Sequence, residues 1–143
     1  MNPCLGEVKL FAGDFPPKGW EFCRGQLLAV SSNPALFSVI GNTYGGNGTI
    51  TFALPDLRGR EAVGAGQGPG LSSIDFGKAS GSETEMLSHA QAGVKAVSIG
   101  NDAAQATQTT VLGVSNAQPH ENRFPYLALN YIICIEGDYP RRD

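Results

Sequence analysis

The sequence is poor in charge. Asp, Glu, Lys and Arg make up 16% of its 143 residues, against roughly a quarter in an ordinary soluble domain. Its 10 basic and 13 acidic side chains leave a net charge of -3. That lacks the clustered basic excess a nucleic-acid partner requires, so no nucleic acid is expected. Long apolar runs are missing too. The most apolar segment, residues 126–135, is interrupted by Asn130 and falls well short of the roughly 20 residues of a membrane-spanning helix. No membrane insertion is expected. The opening residues lack the basic start and apolar stretch of a secretory signal, since Lys9 and Asp14 fall where that stretch would run. A place outside the cell would then be reached by lysis, by a dedicated apparatus, or on a particle.

Chemically versatile residues are also scarce. The three cysteines, Cys4, Cys23 and Cys134, form no C-x-x-C pair, so a zinc or thioredoxin-like site has little support. They read first as small buried hydrophobes, with a disulfide between any two of them as the alternative. His89 and His120 are the only histidines, far apart and outside any H-E-x-x-H, and a trimer gathering one of them on its axis is the weaker alternative to no metal at all. No G-x-S-x-G occurs. Asp14, Asp56 and Asp75 would form a carboxylate pair only by accident of folding. The expectation is no catalytic residue, no cofactor and no enzyme.

What is abundant is turn chemistry. Nineteen glycines and nine prolines stay below the level that signals disorder, and 41% hydrophobic residues suffice for a small core. The expected fold class is mixed, mainly β with one or two short helices. Val8 to Ala12 reads as a strand. Residues 14–19, with two prolines, form a turn. Trp20 to Leu28 alternates, with a bend or bulge at Gly25-Gln26. Asn33 can cap a helix begun by Pro34 and ended by Gly41, with Leu36, Phe37 and Ile40 on one face. Asn47-Gly48 favours a type I′ hairpin before a strand from Thr49 to Leu54.

The texture changes near residue 67, which suggests residues 1–67 as a core and 68–143 as a low-charge, β-rich region of the same unit. From Ala62 to His120 only six residues are charged: Asp75, Lys78, Glu83, Glu85, Lys95 and Asp102. Gly64 to Gly70 reads as an irregular linker rather than a phosphate cradle, with no Gly-Lys-Ser/Thr after it. Ser82 and Glu85 have the spacing of a capping box for a short helix near residues 86–91. Residues 94–99 and 109–114 read as strands around a loop. Tyr126 to Ile135 is the strongest strand pattern and is apolar on both faces, so neighbouring copies are expected to cover it.

Trp20, Phe37, Ile40 and Tyr44 are the expected core residues, with Trp20 and Tyr44 as sugar-stacking platforms in a weaker reading. Arg58 and Arg60 flank Gly59 on a turn. They suit an ion pair with Asp56 or Glu61 or a pairing across a subunit boundary, and less readily a two-pronged anion contact. With Tyr126, Tyr131 and Ile133 they are the candidate interface or binding residues.

The run from Leu10 to Leu28, containing Phe11-Ala12, Gly19-Trp20 and Cys23-Arg24-Gly25-Gln26, resembles the opening of the bacteriophage tail collar domain. The likeness continues through residues 33–48 and Phe52-Ala53-Leu54-Pro55-Asp56-Leu57-Arg58-Gly59-Arg60. The blocks at 118–122 and 125–133 are similar to the branch called microcystin-dependent proteins, a name that implies no chemistry. The resemblance implies an intertwined homotrimer, related to phage short tail fibres, that acts as a receptor-binding or adhesion module. Its receptor would be a cell-surface glycan or protein, its place extracellular or on a virion or phage-tail-like particle. The alternative is a subunit that polymerises into filaments or decorates a tail without a receptor of its own. Relatives often carry Gln-x-Pro-x-His-x-His, able to hold a metal on the trimer axis. Here the matching stretch is Gln91-Ala92-Gly93-Val94-Lys95-Ala96, so no such metal is expected.

Overall fold

A computed structural model describes residues 2–85 and 120–141. The elements run β1 (Val8–Phe11), β2 (Trp20–Phe22), β3 (Leu27–Ala29), α1 (Pro34–Ile40), β4 (Thr51–Ala53), β5 (Thr84–Glu85), β6 (His120–Glu121) and β7 (Asn130–Cys134). Two compact units are present, one made of residues 1–79 and 127–143, the other of residues 80–126. The described residues are mainly β with one short helix.

In the first unit the C-terminal strand lies in the middle of the sheet, in the order β1-β7-β2. Both neighbours are antiparallel to it, with Val8 opposite Ile133 and Phe22 opposite Ile132. A central strand must be apolar on both faces, and β7 is. Ile132 and Cys134 point into one cluster with Trp20 and Phe22, and Phe11 packs against it. Ile133 points the other way, into a cluster with Leu5, Cys23, Leu36, Phe52 and Leu54. The period of two along β2 and β7 sorts the side chains between the two clusters.

The expectation that neighbouring copies must cover this strand is therefore overturned. Ile132, Ile133 and Cys134 are 0%, 1% and 0% exposed in a single chain. Strands more than a hundred residues earlier close both of its edges, and α1 and β4 supply part of the second cluster. Ile133 in particular is sealed inside its own polypeptide and presents nothing to a partner. The strand is also shorter than the sequence pattern. Tyr126, Leu127 and Leu129 lie outside it and are exposed.

The run from Trp20 to Leu28 is two strands in different sheets. β2 joins β7, whereas β3 pairs with β4, Leu28 opposite Phe52. The helix begins at Pro34, and Asn33 makes no side-chain cap. Its amide donates back to the Ala29 carbonyl at 3.3 Å instead. Gly41 closes the helix through its N–H to the Phe37 carbonyl at 2.7 Å. Leu36 is the buried residue of the helix, while Phe37 and Ile40 are half-buried against the core. Phe37 tilts against Phe52 with centroids 5.4 Å apart.

No hairpin ladder forms about Asn47-Gly48: the ladder partner of β4 is β3, and only the Ala53 N–H, to the Gly45 carbonyl at 2.9 Å, and the Gly48 N–H, to the Thr51 carbonyl at 2.9 Å, tie β4 to the turn region. The Asn47 side chain organises the loop by another route. Its Oδ1 accepts the backbone N–H groups of Thr49, Ile50 and Thr51 at 3.0, 2.8 and 2.9 Å. Two of those donors precede β4, which is why the strand starts at Thr51. Tyr44 is half-buried, belongs to neither core cluster, and meets Phe76 edge-on at 6.1 Å.

Residues 64–70 are irregular. A small bridge closes the neighbourhood, with Gly66 and Ile74 exchanging hydrogen bonds of 2.7 and 2.9 Å. In the second unit, Thr84 pairs with Glu121 in a two-stranded ribbon. That places Thr84 and Glu85 in a strand where the capping-box spacing predicted a helix start. Arg123 pairs with Glu121 and, at 3.7 Å, with Glu83. The helix expected near 86–91, the strands at 94–99 and 109–114, and the stretch 91–96 lie outside the described residues. No described helix is long and apolar enough to cross a membrane.

Candidate functional site

The strongest sequence blocks, 23–26 and 54–60, meet in space. Leaving β2, the chain must turn out of one sheet and into another, and it does so through residues 23–26, which bulge out between β2 and β3. Gly25 sits at φ +72 with its α-carbon facing Asp56, so that a Cβ there would lie 3.2 Å from the Asp56 Cβ. Both the positive φ and the close approach select glycine. Gln26 holds the bulge from inside. Its amide donates to the Phe22 carbonyl at 2.7 Å and to Glu21 at 3.4 Å, and its Oε1 accepts the Arg24 N–H at 3.1 Å. Four backbone atoms then dock the bulge on the turn after β4. The Leu57 N–H reaches the Cys23 carbonyl at 3.1 Å, and the Gly25 N–H reaches the Pro55 carbonyl at 3.2 Å.

Arg58 completes this lock. Its Nε and Nη2 donate to the two Asp56 carboxylate oxygens at 2.8 and 2.6 Å, and its N–H adds a third bond at 3.2 Å. The Arg58 side-chain hydrogen bond, first among several causes, holds the Asp56 carboxyl down at about 2, and Arg60 contributes to the same field. Arg58 is thereby committed to its own turn by a two-pronged pair, the geometry at which arginine is strongest.

Beside the lock is a cleft of about 70 Å³, lined by Cys23, Arg24, Leu57, Arg58, Asn130 and Tyr131 among others. Arg24 lies 4.1 Å over the Phe22 ring and donates to Asn130 Oδ1 at 3.5 Å. Asn130 in turn donates to the Gly13 carbonyl at 2.8 Å. Tyr131 is half-buried at the cleft wall. Cys23, on the same wall, is buried, which pushes its thiol up to about 11. It stays protonated and acts as a small hydrophobe.

A second, shallower groove of about 320 Å³ runs past Asn2, Pro3, Glu7, Lys9 and Trp20. Lys9 Nζ caps the Trp20 ring at 3.9 Å, and Trp20 is buried. Trp20 therefore offers no open ring face to a sugar. Among the described residues no group of acidic, His and Cys side chains has the geometry to hold a metal.

The largest open apolar side chains near the C-terminal part are Phe124, Tyr126 and Leu127, 67%, 63% and 86% exposed. Arg123 lies 5.1 Å over the Tyr126 ring. Of the sequence-derived candidates, the structure thus places Arg58 and Tyr131 at one cleft, Arg60 in the field of Asp56, Tyr126 in the open, and Ile133 in the core. Sequence reading placed Gln26 in a bend and Asn130 as a break in an apolar run, but gave neither a role at this site. Both are uncharged amides whose role is to bond distant backbone, and hydropathy patterns carry no trace of that.

Residues 6–62 match the Phage Tail Collar Domain. The chain is also distantly similar to the short tail fiber protein gp12 of Enterobacteria phage T4, with 38% identity over 69 residues. That alignment covers 48% of this chain and 13% of the phage protein, so the chain spans only a small part of the relative it matches. The Gln26 bulge and the Asp56–Arg58 turn both fall inside the matched collar region.

Proposed function

We propose that the chain is a non-catalytic, homotrimeric fibre or tip subunit that binds a glycan or protein on a cell surface, carried on a phage-tail-like particle. The observation that carries this reading is the collar match over residues 6–62, with the phage short tail fibre protein as a relative. The blocks at 118–122 and 125–133 favour the microcystin-dependent branch. The apolar strand β7 no longer argues for a trimer, because one chain buries it. The open side chains Phe124 and Tyr126 of the second unit support association instead, since exposed aromatic side chains are the usual raw material of an interface. Three copies would present every recognition patch three times, and multivalent attachment gains about 10²–10⁴ in avidity over one weak contact.

The test combines mass and binding. Light scattering gives the mass of the particle in solution, and sedimentation with bacterial cells reads attachment. The reading predicts three chains per particle and retention on cells, weakened when Tyr126 and Leu127 are both changed to Ser. Long fibres in electron micrographs, without retention on cells, would favour the filament or tail-decoration subunit instead.

A further inference from the structure

Three cysteines allow three pairings, and the fold separates them. Cys23 and Cys134 belong to different core clusters, on opposite faces of the central sheet. Along β7, moreover, Cys23 is bonded to Tyr131, its N–H on that carbonyl at 2.9 Å, three residues before Cys134 and so about 10 Å from it. Cys4 lies at the other end of the strand. Its carbonyl accepts the Glu7 N–H at 2.9 Å, a turn that brings residues 4 and 7 within about 7 Å. Glu7 and Gly6 both bond Cys134: its N–H donates to the Glu7 carbonyl and its carbonyl accepts from Gly6, each at 2.9 Å. Beyond β7 the chain returns to bracket Cys4. Leu5 donates to the Asp138 carbonyl at 2.8 Å, and Asp138 donates to the Pro3 carbonyl at 2.9 Å.

The Cys134 sulfur faces this N-terminal segment. A Cβ built on Gly137 would lie 2.7 Å from the Cys134 Sγ and 2.3 Å from the Pro3 carbonyl oxygen, so the sulfur and the peptide leading into Cys4 crowd the same small space. We propose that Cys4 and Cys134 form an intrachain disulfide that staples the segment before β1 to the end of the central strand.

The chemistry is thiol–disulfide exchange. Cys4 is exposed and Cys134 buried, both as free thiols in the structure. The Cys4 thiolate attacks a small disulfide such as oxidised glutathione, forming a mixed disulfide and releasing one glutathione thiolate. The Cys134 thiolate then attacks the Cys4 sulfur and expels the second glutathione. Two protein thiols lose two protons and two electrons, and one glutathione disulfide becomes two thiols. Burial pushes the Cys134 thiol up, with Cys4 among the smaller causes, so the second step runs faster at alkaline pH. The bridge would close a loop spanning nearly the whole chain, the case in which cross-linking restricts the unfolded state most.

The experiment uses the full chain, fully reduced and then exposed to oxidised glutathione at mildly alkaline pH. Trypsin places the cysteines in three separate peptides, 1–9, 19–24 and 124–141. The proposal predicts the loss of two hydrogens from the monomer, peptide 1–9 joined to 124–141, and one remaining thiol at Cys23. It also predicts a Tm several degrees above that of the reduced chain. Cys23→Ser keeps the bridge and Cys4→Ser abolishes it. Three free thiols after prolonged exposure, a link to peptide 19–24, or a link between two chains would overturn the assignment. An oxidised chain melting no higher than the reduced one would also overturn it, because the native backbone would then have to distort to accept the bond.

Discussion

Asp56 shows how one residue can be at once the centre of a sequence block and a structural part. Its carboxyl is held at about 2, below its ordinary 3.8, mainly by the Arg58 hydrogen bonds. A depressed folded value means that its stabilisation is complete above the unfolded value and fades as pH falls from near 3.8 through about 2. The pair is open to solvent, so screening keeps its contribution small. Asp56→Asn should lower Tm slightly at neutral pH, and in thermal melts the difference from the wild type should shrink through pH 3 and be lost only below about pH 2. Gly48 carries a backbone prediction. It sits at φ +71, with the Asn42 amide 3.0 Å from where a Cβ would go. A β-branched residue is strained at that φ, so Gly48→Val should cost about 1–3 kcal/mol in denaturant unfolding.

At the scale of elements, two asparagines of the first unit, Asn47 and Asn33, should behave differently. Asn47 accepts three backbone N–H groups ahead of and at the start of β4. Asn47→Ala leaves them without that acceptor and should cost about 1–3 kcal/mol. Asn33 stands at the cap position but makes no cap bond, so Asn33→Ala should cost under about 0.5 kcal/mol, below the usual price of a lost cap. Urea unfolding of the two variants side by side checks both. Much of this level was legible in the sequence. Pro34 marked the helix start, the alternation of Trp20 and Phe22 marked a strand, and Gly25-Gln26 marked its break. Less legible was which partner each strand takes. Local pattern showed that residues 126–135 needed cover on both faces. It could not show that β1 and β2, remote in sequence, already provide it. Likewise Asn47-Gly48 has hairpin chemistry, but strand β4 is claimed by β3, and a turn signal does not say which strands it joins.

On the scale of the whole molecule, the candidate site was legible as a set of blocks and not as a structure. Cys23 to Gln26 and Leu54 to Arg60 were visible separately. Their docking rests on backbone hydrogen bonds and the Gln26 amide, which leave no periodic mark. Arg58, read from sequence as either an ion pair or an anion contact, is an ion pair with Asp56. Among the described residues Phe124 and Tyr126 are open apolar side chains, residues 6–62 match the collar domain, and the chain is similar over 69 residues to a phage short tail fibre protein. Assembly is therefore the claim that bears most weight. Light scattering across a dilution series of the 15.0 kDa chain tests it most directly. The account predicts a particle three times that mass that persists on dilution; a mass of one chain at every concentration would contradict it.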